Sequence, residues 1–451
     1  MKTVFGILFA LLVLFSIAVY RLQPNLDTGG RTALVYVSDS NPTRDAQVEL
    51  FNKLNGDLQL RLDPANGGVE KITVQSIAGV GPDLLDAFDS NQLNAYVKSG
   101  VAWDVTDELK KRGIDVGSES YASCAAVTTF EGRVYGVPTN AAVNCIWFHK
   151  DLFDRAAVPY PKGPWTWAKF IDTAEKLTVR DSAGKVIQYG VLMDWWYWRH
   201  IYLGFGARLF TPDGTRCVID SPGGIAAAQL MHDLIYKYRV MPSPVDETSM
   251  ATSGGFGSGS ITWFGAKRAA MALGGRWWLG TLRDRNNYKD LHLGVVESPY
   301  ATVRAFSGYG RGTLINKNSP HRLQALRYLL YEASAPYCDL INSQADGIAA
   351  FKKFNELPSF LLNPEHPEED YNDVWRGAQE HAVPDENSPF VNGHVVERII
   401  DTQLDLVKSD SKPPADAVHD MAMQINEEIR KALDDDPDLR RNFDALTRSK
   451  R

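Results

Sequence analysis

The alternation of a strand, a helix and a second strand near the start of the chain limits its possible folds more than any other feature. Residues 32–37 (TALVYV) are apolar and β-branched, as is typical of a buried strand. Turn-forming residues follow at 38–42, and apolar side chains then recur at helical spacing up to Leu54. Further strands are predicted at 58–62 and 72–77. This order predicts an α/β fold built on a largely parallel sheet.

The length of the chain predicts more than one domain. With 451 residues it exceeds the usual size of a single hydrophobic core, so two lobes or domains are expected. Lys and Arg number 48 against 55 Asp and Glu, which gives a net charge of −7, and the basic residues form no long block. We therefore expect neither a nucleic-acid partner nor a polybasic membrane-binding patch.

An apolar segment, residues 4–20, follows Lys2 at the N-terminal end. Its charge, length and apolar core are those of an export signal, and its length is also within the range of a membrane-spanning helix. Residues 1–22 are therefore interpreted as a signal peptide or membrane anchor. The protein is expected in the periplasm or at the outer face of the cytoplasmic membrane. Ser16 and Ala18 form a small-x-small site for a peptidase, and both cleavage and retention by an uncleaved helix stay open.

The cysteines lie far apart, without a Cys-x-x-Cys motif or a Cys/His cluster. Four cysteines allow three disulfide pairings, and the spacing selects none of them. We interpret them as small buried apolar residues, with room for one disulfide, and expect neither a metal site nor a cofactor. They are Cys124, Cys145, Cys217 and Cys338.

Later segments also carry signals for regular structure. A strand is predicted at 142–148, and Thr166 is placed to cap a helix whose apolar residues share one face. Apolar residues recur at helical spacing over 325–333. The acidic run at 434–436, before Pro437, is interpreted as a solvated helix end.

Five short blocks, in one order over most of the chain, are together more specific than any one of them. They are GPDL at 81–84 with GVAWDVT at 100–106, GRVYGVP at 132–138, WFHKDLF at 147–153, WTW at 165–167 and FGAKRAAMALGGRW at 264–277. This set resembles bacterial extracellular solute-binding protein family 1, the sugar-binding components of ABC importers of the maltose-binding type. His149 stands where the family usually has Asn, and Arg276 where Pro is frequent.

The resemblance implies a two-lobe periplasmic-binding-protein-like fold with the ligand cleft between hinge-linked lobes. The first α/β lobe would comprise 31–140 plus 303–346, and the second 141–300 plus 348–440. The implied hinges lie near 140–142, 298–302 and 347–350. The implied function is to bind a mono- or oligosaccharide and to deliver it to a membrane permease. A monomer without enzymatic activity is expected.

The residues expected to bind the ligand follow from the chemistry of sugars. A sugar has apolar C–H faces that stack on aromatic rings, and a rim of hydroxyls that pair with planar polar groups. The aromatic candidates are Trp277, Trp195, Trp196, Trp198 and Tyr309, and the polar candidates are Ser38, Asp39, Asp86, Asn140, Arg276 and Arg311. Of the paired indoles, Trp277 is assigned to the ligand and Trp278 to the core. One or two of the three tryptophans at 195–198 are expected to serve packing, and Asp39 could equally cap a helix.

Two other functions compete with sugar binding. A secreted glycoside-active enzyme would also use aromatic residues, together with two carboxylates set across the scissile bond. The chain has no HExxH, GxSxG or His/Cys grouping, so no catalytic residue is assigned. A membrane-anchored scaffold fits the N-terminal segment but leaves the five blocks unexplained.

Overall fold

The computed structural model describes residues 28–39, 41, 43–64, 68–248 and 259–448, and it shows an α/β protein. The segment interpreted as an export signal, residues 1–22, lies outside the described residues. Within them, no helix combines the length and the apolar character needed to cross a membrane.

The strands alternate with helices along the chain. They are β1 (Thr32–Val37), β2 (Leu58–Asp63), β3 (Leu84–Ala87), β4 (Thr129–Phe130), β5 (Arg133–Val134), β6 (Gly136–His149), β7 (Val179–Arg180), β8 (Val186–Leu192), β9 (Ala269–Gly275), β10 (Leu293–Glu297), β11 (Phe306–Ile315), β12 (Ile348–Ala349) and β13 (Ala382–Val383).

The helices surround these strands. They are α1 (Thr43–Leu54), α2 (Val69–Ile77), α3 (Ser90–Lys98), α4 (Thr106–Lys110), α5 (Val116–Glu119), α6 (Ala122–Ala125), α7 (Lys150–Arg155), α8 (Trp167–Leu177), α9 (Trp198–Gly204), α10 (Pro222–Tyr236), α11 (Pro244–Thr248), α12 (Ser260–Gly265), α13 (Leu279–Leu282), α14 (Arg322–Glu332), α15 (Ala335–Gln344), α16 (Pro358–Leu361), α17 (Asn372–Gln379), α18 (Gly393–Lys408), α19 (Pro414–Asp435) and α20 (Pro437–Arg448). Short 3₁₀ turns occur at Trp195–Tyr197, Arg276–Trp278 and Lys352–Asn355.

One sheet runs through the molecule, and the long strand β6 joins its two halves. In the described chain the sheet has eleven strands, and its main path is β2-β1-β3-β11-β6-β9-β8-β7. The first part of β6 pairs with β11, and its last part pairs with β9 and β10. We call the strands from β2 to β11 the β1 half of the sheet, and the strands β9, β10, β8 and β7 the β9 half.

The long C-terminal helices pack on the β9 half. Helices α18 and α19 pack on each other and on α10, and their apolar faces join one core with Trp198. In α19 the buried residues Val418, Met421, Ile425 and Ile429 recur every three or four positions, so a single face is buried. These helices therefore share one hydrophobic core with strands β8 and β9.

Most of the elements predicted from the sequence are confirmed, but one element and the expected largely parallel sheet are wrong. Strand β6 pairs antiparallel with β9, β10, β11 and β12. Residues 32–37 and 58–62 are strands, Thr166 caps α8 through a bond from the Lys169 amide, and α19 ends at the acidic run. The predicted strand at 72–77 is instead helix α2, which runs from Val69 to Ile77. Its buried residues lie four positions apart, as on one helix face, and the place beside β1 is taken by β3.

The cysteines are buried and free of disulfide bonds, so the packing interpretation is confirmed and the optional disulfide is absent among these four. Burial raises the pKa of the Cys124 and Cys217 thiols to about 12, and these thiols therefore stay protonated at neutral pH.

Candidate functional site

The register of the β1 half brings the ends of its parallel strands to the middle of β6. Strands β1 and β3 are parallel and end at Val37 and Ala87. Ala87 lies opposite Gly312 of β11, and the neighbouring Arg311 lies opposite Asn140 of β6. The residues that follow β1 and β3 therefore face Asn140 and the part of β6 beyond it.

The β9 half approaches the same part of β6 from the other side. Strands β8 and β9 are parallel to each other and antiparallel to β6, and Gly275 at the end of β9 lies opposite Asn144. The carboxyl ends of two sets of parallel strands thus face each other across residues 140–144. Ligands of α/β proteins bind at such strand ends, so this cleft is the candidate site.

A bulge marks the floor of the cleft. The pairing of β11 with β6 shifts between Arg311 and Gly312, so that Thr139 is the extra residue on β6. The Thr139 hydroxyl donates to the Arg311 carbonyl at 3.0 Å. Bulges redirect side chains and are frequent beside functional sites.

On the β1 side, three of the predicted ligand residues are bonded to one another. The Asp86 carboxylate accepts hydrogen bonds from the Ser38 hydroxyl, from Tyr36 at 2.5 Å and from Arg311 Nη1 at 3.2 Å. All four side chains are buried. Burial would lower the pKa of Arg311, but Asp86 together with Tyr36, Tyr337 and Asp346 outweighs it and holds that pKa well above its ordinary value. The charge pair is thus satisfied within the protein.

Asp39 differs from these residues because its side chain is 33% exposed. Arg44, at the start of α1, holds it by an ion pair of 2.8 Å between Nε and Oδ1. Arg44 Nη2 also donates to Asp39 Oδ2 at 3.3 Å, so the arginine contacts both carboxylate oxygens while part of the side chain stays accessible. Asp39 does not cap α1; the Thr43 amide instead donates to the Asn41 side chain at 3.0 Å.

Asn140 and Tyr309 lie where the two halves of the sheet meet. The Asn140 side chain accepts from the Arg311 amide at 3.0 Å and donates to the Asp346 carbonyl at 2.9 Å. Tyr309 is half-buried, and its ring centroid lies 5.9 Å from that of Trp196 on the β9 side.

The tryptophans that follow β8 divide by exposure. Trp195 and Trp198 are buried in the core, and Trp198 packs edge-on against Tyr202. Trp196 is 52% exposed and lies against Tyr197, with 3.8 Å between the ring centroids. Trp196 therefore presents a large apolar surface to solvent beside Tyr309.

Each of the paired indoles that follow β9 covers a glycine. A Cβ on Gly275 would lie 1.7 Å from the Trp277 ring, and a Cβ on Gly274 would lie 2.5 Å from the Trp278 ring. Trp278 is buried, as predicted, whereas Trp277 is half-buried. The glycines therefore let both rings lie flat on the end of β9.

Arg276, between the glycines and the indoles, points away from solvent. Its Nη1 donates to the Gly347 carbonyl at 2.8 Å and its Nε to the Asn372 side chain at 3.1 Å. Burial lowers the pKa of Arg276 to about 10, so the guanidinium is still charged at neutral pH. Its observed partners are protein groups.

The eleven predicted residues thus fall into two groups. Accessible in the cleft are Asp39, Asn140, Trp196, Trp277 and Tyr309; enclosed by protein are Ser38, Asp86, Arg276, Arg311, Trp195 and Trp198. Sequence reasoning missed Arg44 and Asp346. Arg44 appears in the sequence only as a polar residue at a helix start, and its partner Asp346 is 302 positions away.

A cavity of about 610 Å³ lies beside the start of β10. Its two walls are held together by ion pairs, Arg283 with Glu369 at 2.7 Å and Lys150 with Asp370 at 3.2 Å. Ligands of α/β proteins bind at the carboxyl ends of parallel strands, so the cleft is the stronger candidate on structural grounds. Among the described residues, no group of three or more His, Cys, Asp or Glu is arranged to hold a metal.

An α/β sheet whose two halves present facing strand ends defines the class of two-lobe binding proteins. The model of the bacterial extracellular solute-binding protein family matches residues 38–335. The chain belongs to this family, as its five sequence blocks predicted.

Solved structures share the fold over nearly their whole length. The ABC substrate-binding protein Lmo0181 of Listeria monocytogenes, in complex with cycloalternan, has a TM-score of 0.73 and 21% identity and covers 88% of this chain and 98% of that one. The maltose-bound MalE3 of T. maritima has a TM-score of 0.70 and 19% identity and covers 87% and 99%. Both are binding proteins, and the two-lobe fold is confirmed by them.

The arabinooligosaccharide-binding protein of Halalkalibacterium halodurans is 23% identical over 216 residues, which are 45% of this chain and 44% of that protein. The chain spans about half the length of the curated relatives it matches.

Proposed function

We propose that this chain is the extracytoplasmic substrate-binding protein of an ABC importer, which binds a mono- or oligosaccharide and delivers it to a membrane permease. The observation that carries the proposal is the exposed Trp196 ring beside Tyr309 at the facing strand ends. The relatives named above, which bind cycloalternan, maltose or arabinooligosaccharides, support a carbohydrate as the ligand.

The ligand would lie between two lobes with the bounds expected from the sequence, 31–140 plus 303–346 and 141–300 plus 348–440. Trp196, Trp277 and Tyr309 offer ring faces to the apolar C–H surface of a sugar. Asp39 and Asn140 offer oxygen and nitrogen atoms to its hydroxyls. Ser38, Asp86 and Arg311 would support this side of the cleft from behind, because they are buried and the Asp86 carboxylate accepts from both Ser38 and Arg311.

The protein would act as an exported monomer that leaves the sugar chemically unchanged. A thermal-shift screen of the fragment from residue 28 onward, against mono- and oligosaccharides such as maltotriose and arabinotriose, tests the binding. A ligand at about 100 times its Kd adds about 2.7 kcal/mol to the unfolding free energy, which raises Tm measurably.

The same mixtures, analysed by chromatography after incubation, test for turnover. Intact sugar together with a raised Tm supports a binding protein. Protein-dependent hydrolysis would establish a glycoside-active enzyme instead, and an unchanged Tm with every sugar would contradict carbohydrate binding.

A further inference from the structure

The turn at residues 345–347 joins α15 to β12 and is anchored against the middle of β6. Ala345 and Gly347 both have positive φ, at 62° and 78°. A Cβ on Gly347 would lie 2.6 Å from the Ala141 carbonyl oxygen, so only glycine fits at this distance. The Asn140 side chain donates to the Asp346 carbonyl from the same strand. Through these contacts the turn links the expected hinge near 347–350 to the expected hinge near 140–142.

An arginine from the β1 half holds this turn through a side chain. Arg44 Nη1 donates to the Asp346 carboxylate, which also accepts from Asn41 at 3.2 Å. The Arg44 and Asp346 side chains are only 2% and 5% exposed, so the pair is shielded from water and salt. Arg44 also forms the ion pair with Asp39, the exposed carboxylate of the cleft.

A second arginine holds the next residue of the turn from the β9 half. Arg276 Nη1 donates to the Gly347 carbonyl at 2.8 Å. Arg276 directly precedes Trp277, the half-buried indole at the end of β9. The two arginines thus reach adjacent residues of one turn from opposite halves of the sheet, and each adjoins an accessible residue of the cleft.

We propose that Arg44 and Arg276 are positioning residues that brace the 345–347 turn from both lobes and thereby set the interlobe geometry in which the ligand binds. The inference rests on the proposed function, because it assumes a ligand between the lobes. Neither arginine needs to touch that ligand. Their loss would free each lobe to reorient about the turn, and binding would weaken because fewer molecules hold the competent geometry.

The interlobe distance of the ligand-free protein tests the brace directly. Spin labels on Lys98→Cys and Lys169→Cys, both exposed and one in each proposed lobe, report this distance by pulsed electron resonance. The four native cysteines are buried, so the label goes to the introduced thiols. Arg44→Gln and Arg276→Met should each broaden the distance distribution or shift its maximum. The matched control Arg327→Gln breaks an ion pair with Asp57 far from the turn and should leave the distribution unchanged.

Conservative variants separate the brace from a general loss of folding. Arg44→Lys keeps a charge for Asp346 and should restore most of the wild-type distribution. Asp346→Asn should reproduce the effect of Arg44→Gln, and the double variant should add little, because both changes break one pair. In folded variants with broadened distributions, maltotriose or another sugar that stabilises the wild type should bind about fivefold more weakly or worse, as is typical of conformational coupling.

Wild-type distance distributions in folded Arg44→Gln, Asp346→Asn and Arg276→Met proteins would overturn the brace. The distance measurement needs no ligand, so it tests the brace even if no sugar binds. Broadened distributions without sugar binding in the wild type would keep the brace and contradict the proposed ligand class.

Discussion

In this protein, side chains of the same residue type differ strongly in their exposure to solvent. Three tryptophans within four positions have different environments, because only Trp196 leaves the core. Asp39 follows β1 and Asp86 lies near the end of the neighbouring strand β3, yet Asp39 is partly exposed and Asp86 is enclosed by its donors. The accessible member of each set is the one expected to meet a ligand.

Trp277 and Trp278 allow a direct test of that division. Trp277→Ala should weaken sugar binding at least tenfold, because an aromatic contact contributes about 0.5–1.5 kcal/mol beyond its buried area. Trp277→Phe should keep part of the affinity through its smaller flat face. Trp278→Ala, the matched change in the core, should instead cost about 3–5 kcal/mol of unfolding free energy.

Calorimetric titration of these variants measures the sugar affinity, and denaturant unfolding measures the unfolding free energy. A large loss of unfolding free energy in Trp277→Ala, with unchanged affinity in the folded fraction, would assign this indole to the core.

His149 should make stability depend on pH. Its Nε2 lies 2.8 Å from the Phe264 carbonyl, and burial lowers the pKa of His149 to about 4. Below its ordinary pKa of 6.5 the unfolded chain takes up a proton that the folded chain refuses, so the unfolding free energy falls as the pH falls from 6.5 towards 4. The contribution of this one histidine between pH 7 and pH 5 is about 2 kcal/mol.

His149→Asn, which carries the residue usual in the family, should remove that contribution. Urea unfolding from pH 8 to pH 5 compares the two proteins, and the variant should lose less stability on acidification. Equal losses in both proteins would contradict the buried neutral imidazole. Near pH 8 the unfolding free energies of the two proteins should change with pH in the same way, because His149 is then neutral in both the folded and the unfolded wild type.

Strand ends and the turns that follow them place the accessible side chains. The end of β9 is a clear case, because the chain leaves the sheet at Gly275 and turns Trp277 back over it. The glycine is required by the ring above it and not by its own backbone, since its φ is −93°.

Gly275→Ala should therefore displace the Trp277 ring and weaken sugar binding, with an overpacking cost of about 1–3 kcal/mol in unfolding free energy. Gly377→Ala is a matched control, because a Cβ there meets nothing within 4 Å and the residue lies in helix α17. That control should be stabilised by about 0.5–1 kcal/mol. Tryptophan fluorescence reports the displacement of the Trp277 ring, and calorimetric titration measures the sugar affinity of both variants. Wild-type affinity in Gly275→Ala would mean that the position of this ring does not affect binding.

The assembled molecule depends on contacts between distant parts of the chain. Arg311 reaches Asp86 across 225 positions, and Arg44 reaches Asp346 across 302. Both pairs lie where the halves of the sheet meet, so the shape of the cleft is set by the paths of β6 and β11.

Export and anchoring also concern the whole chain. We expect residues 1–22 to direct export, and N-terminal sequencing of the exported protein distinguishes the two forms. A start near Val19 indicates cleavage after Ala18, and Met1 or Lys2 indicates a retained anchor. Full-length protein recovered free in the cytoplasm would contradict both forms.

Features that depend only on neighbouring residues could be predicted from the sequence. The strand at Thr32–Val37, the cap at Thr166 and the five family blocks are local patterns, and local patterns specify local structure. The resemblance of these blocks to the family also predicted the two-lobe fold. The β-branched run at 72–77 was misread because a short apolar segment fits a strand and a helix equally well.

Which candidate residues are free to meet a ligand depends on contacts between distant parts of the chain. Ser38, Asp86 and Arg311 looked like ligand groups in the sequence, but the register of β3, β11 and β6 brings them together and pairs their charges. The pairing of β9 and β12 with β6 brings Arg276 to Gly347, and the packing of α1 on α15 brings Arg44 to Asp346. Such pairings depend on how distant strands align, and a buried charge must find its partner there because water cannot supply one.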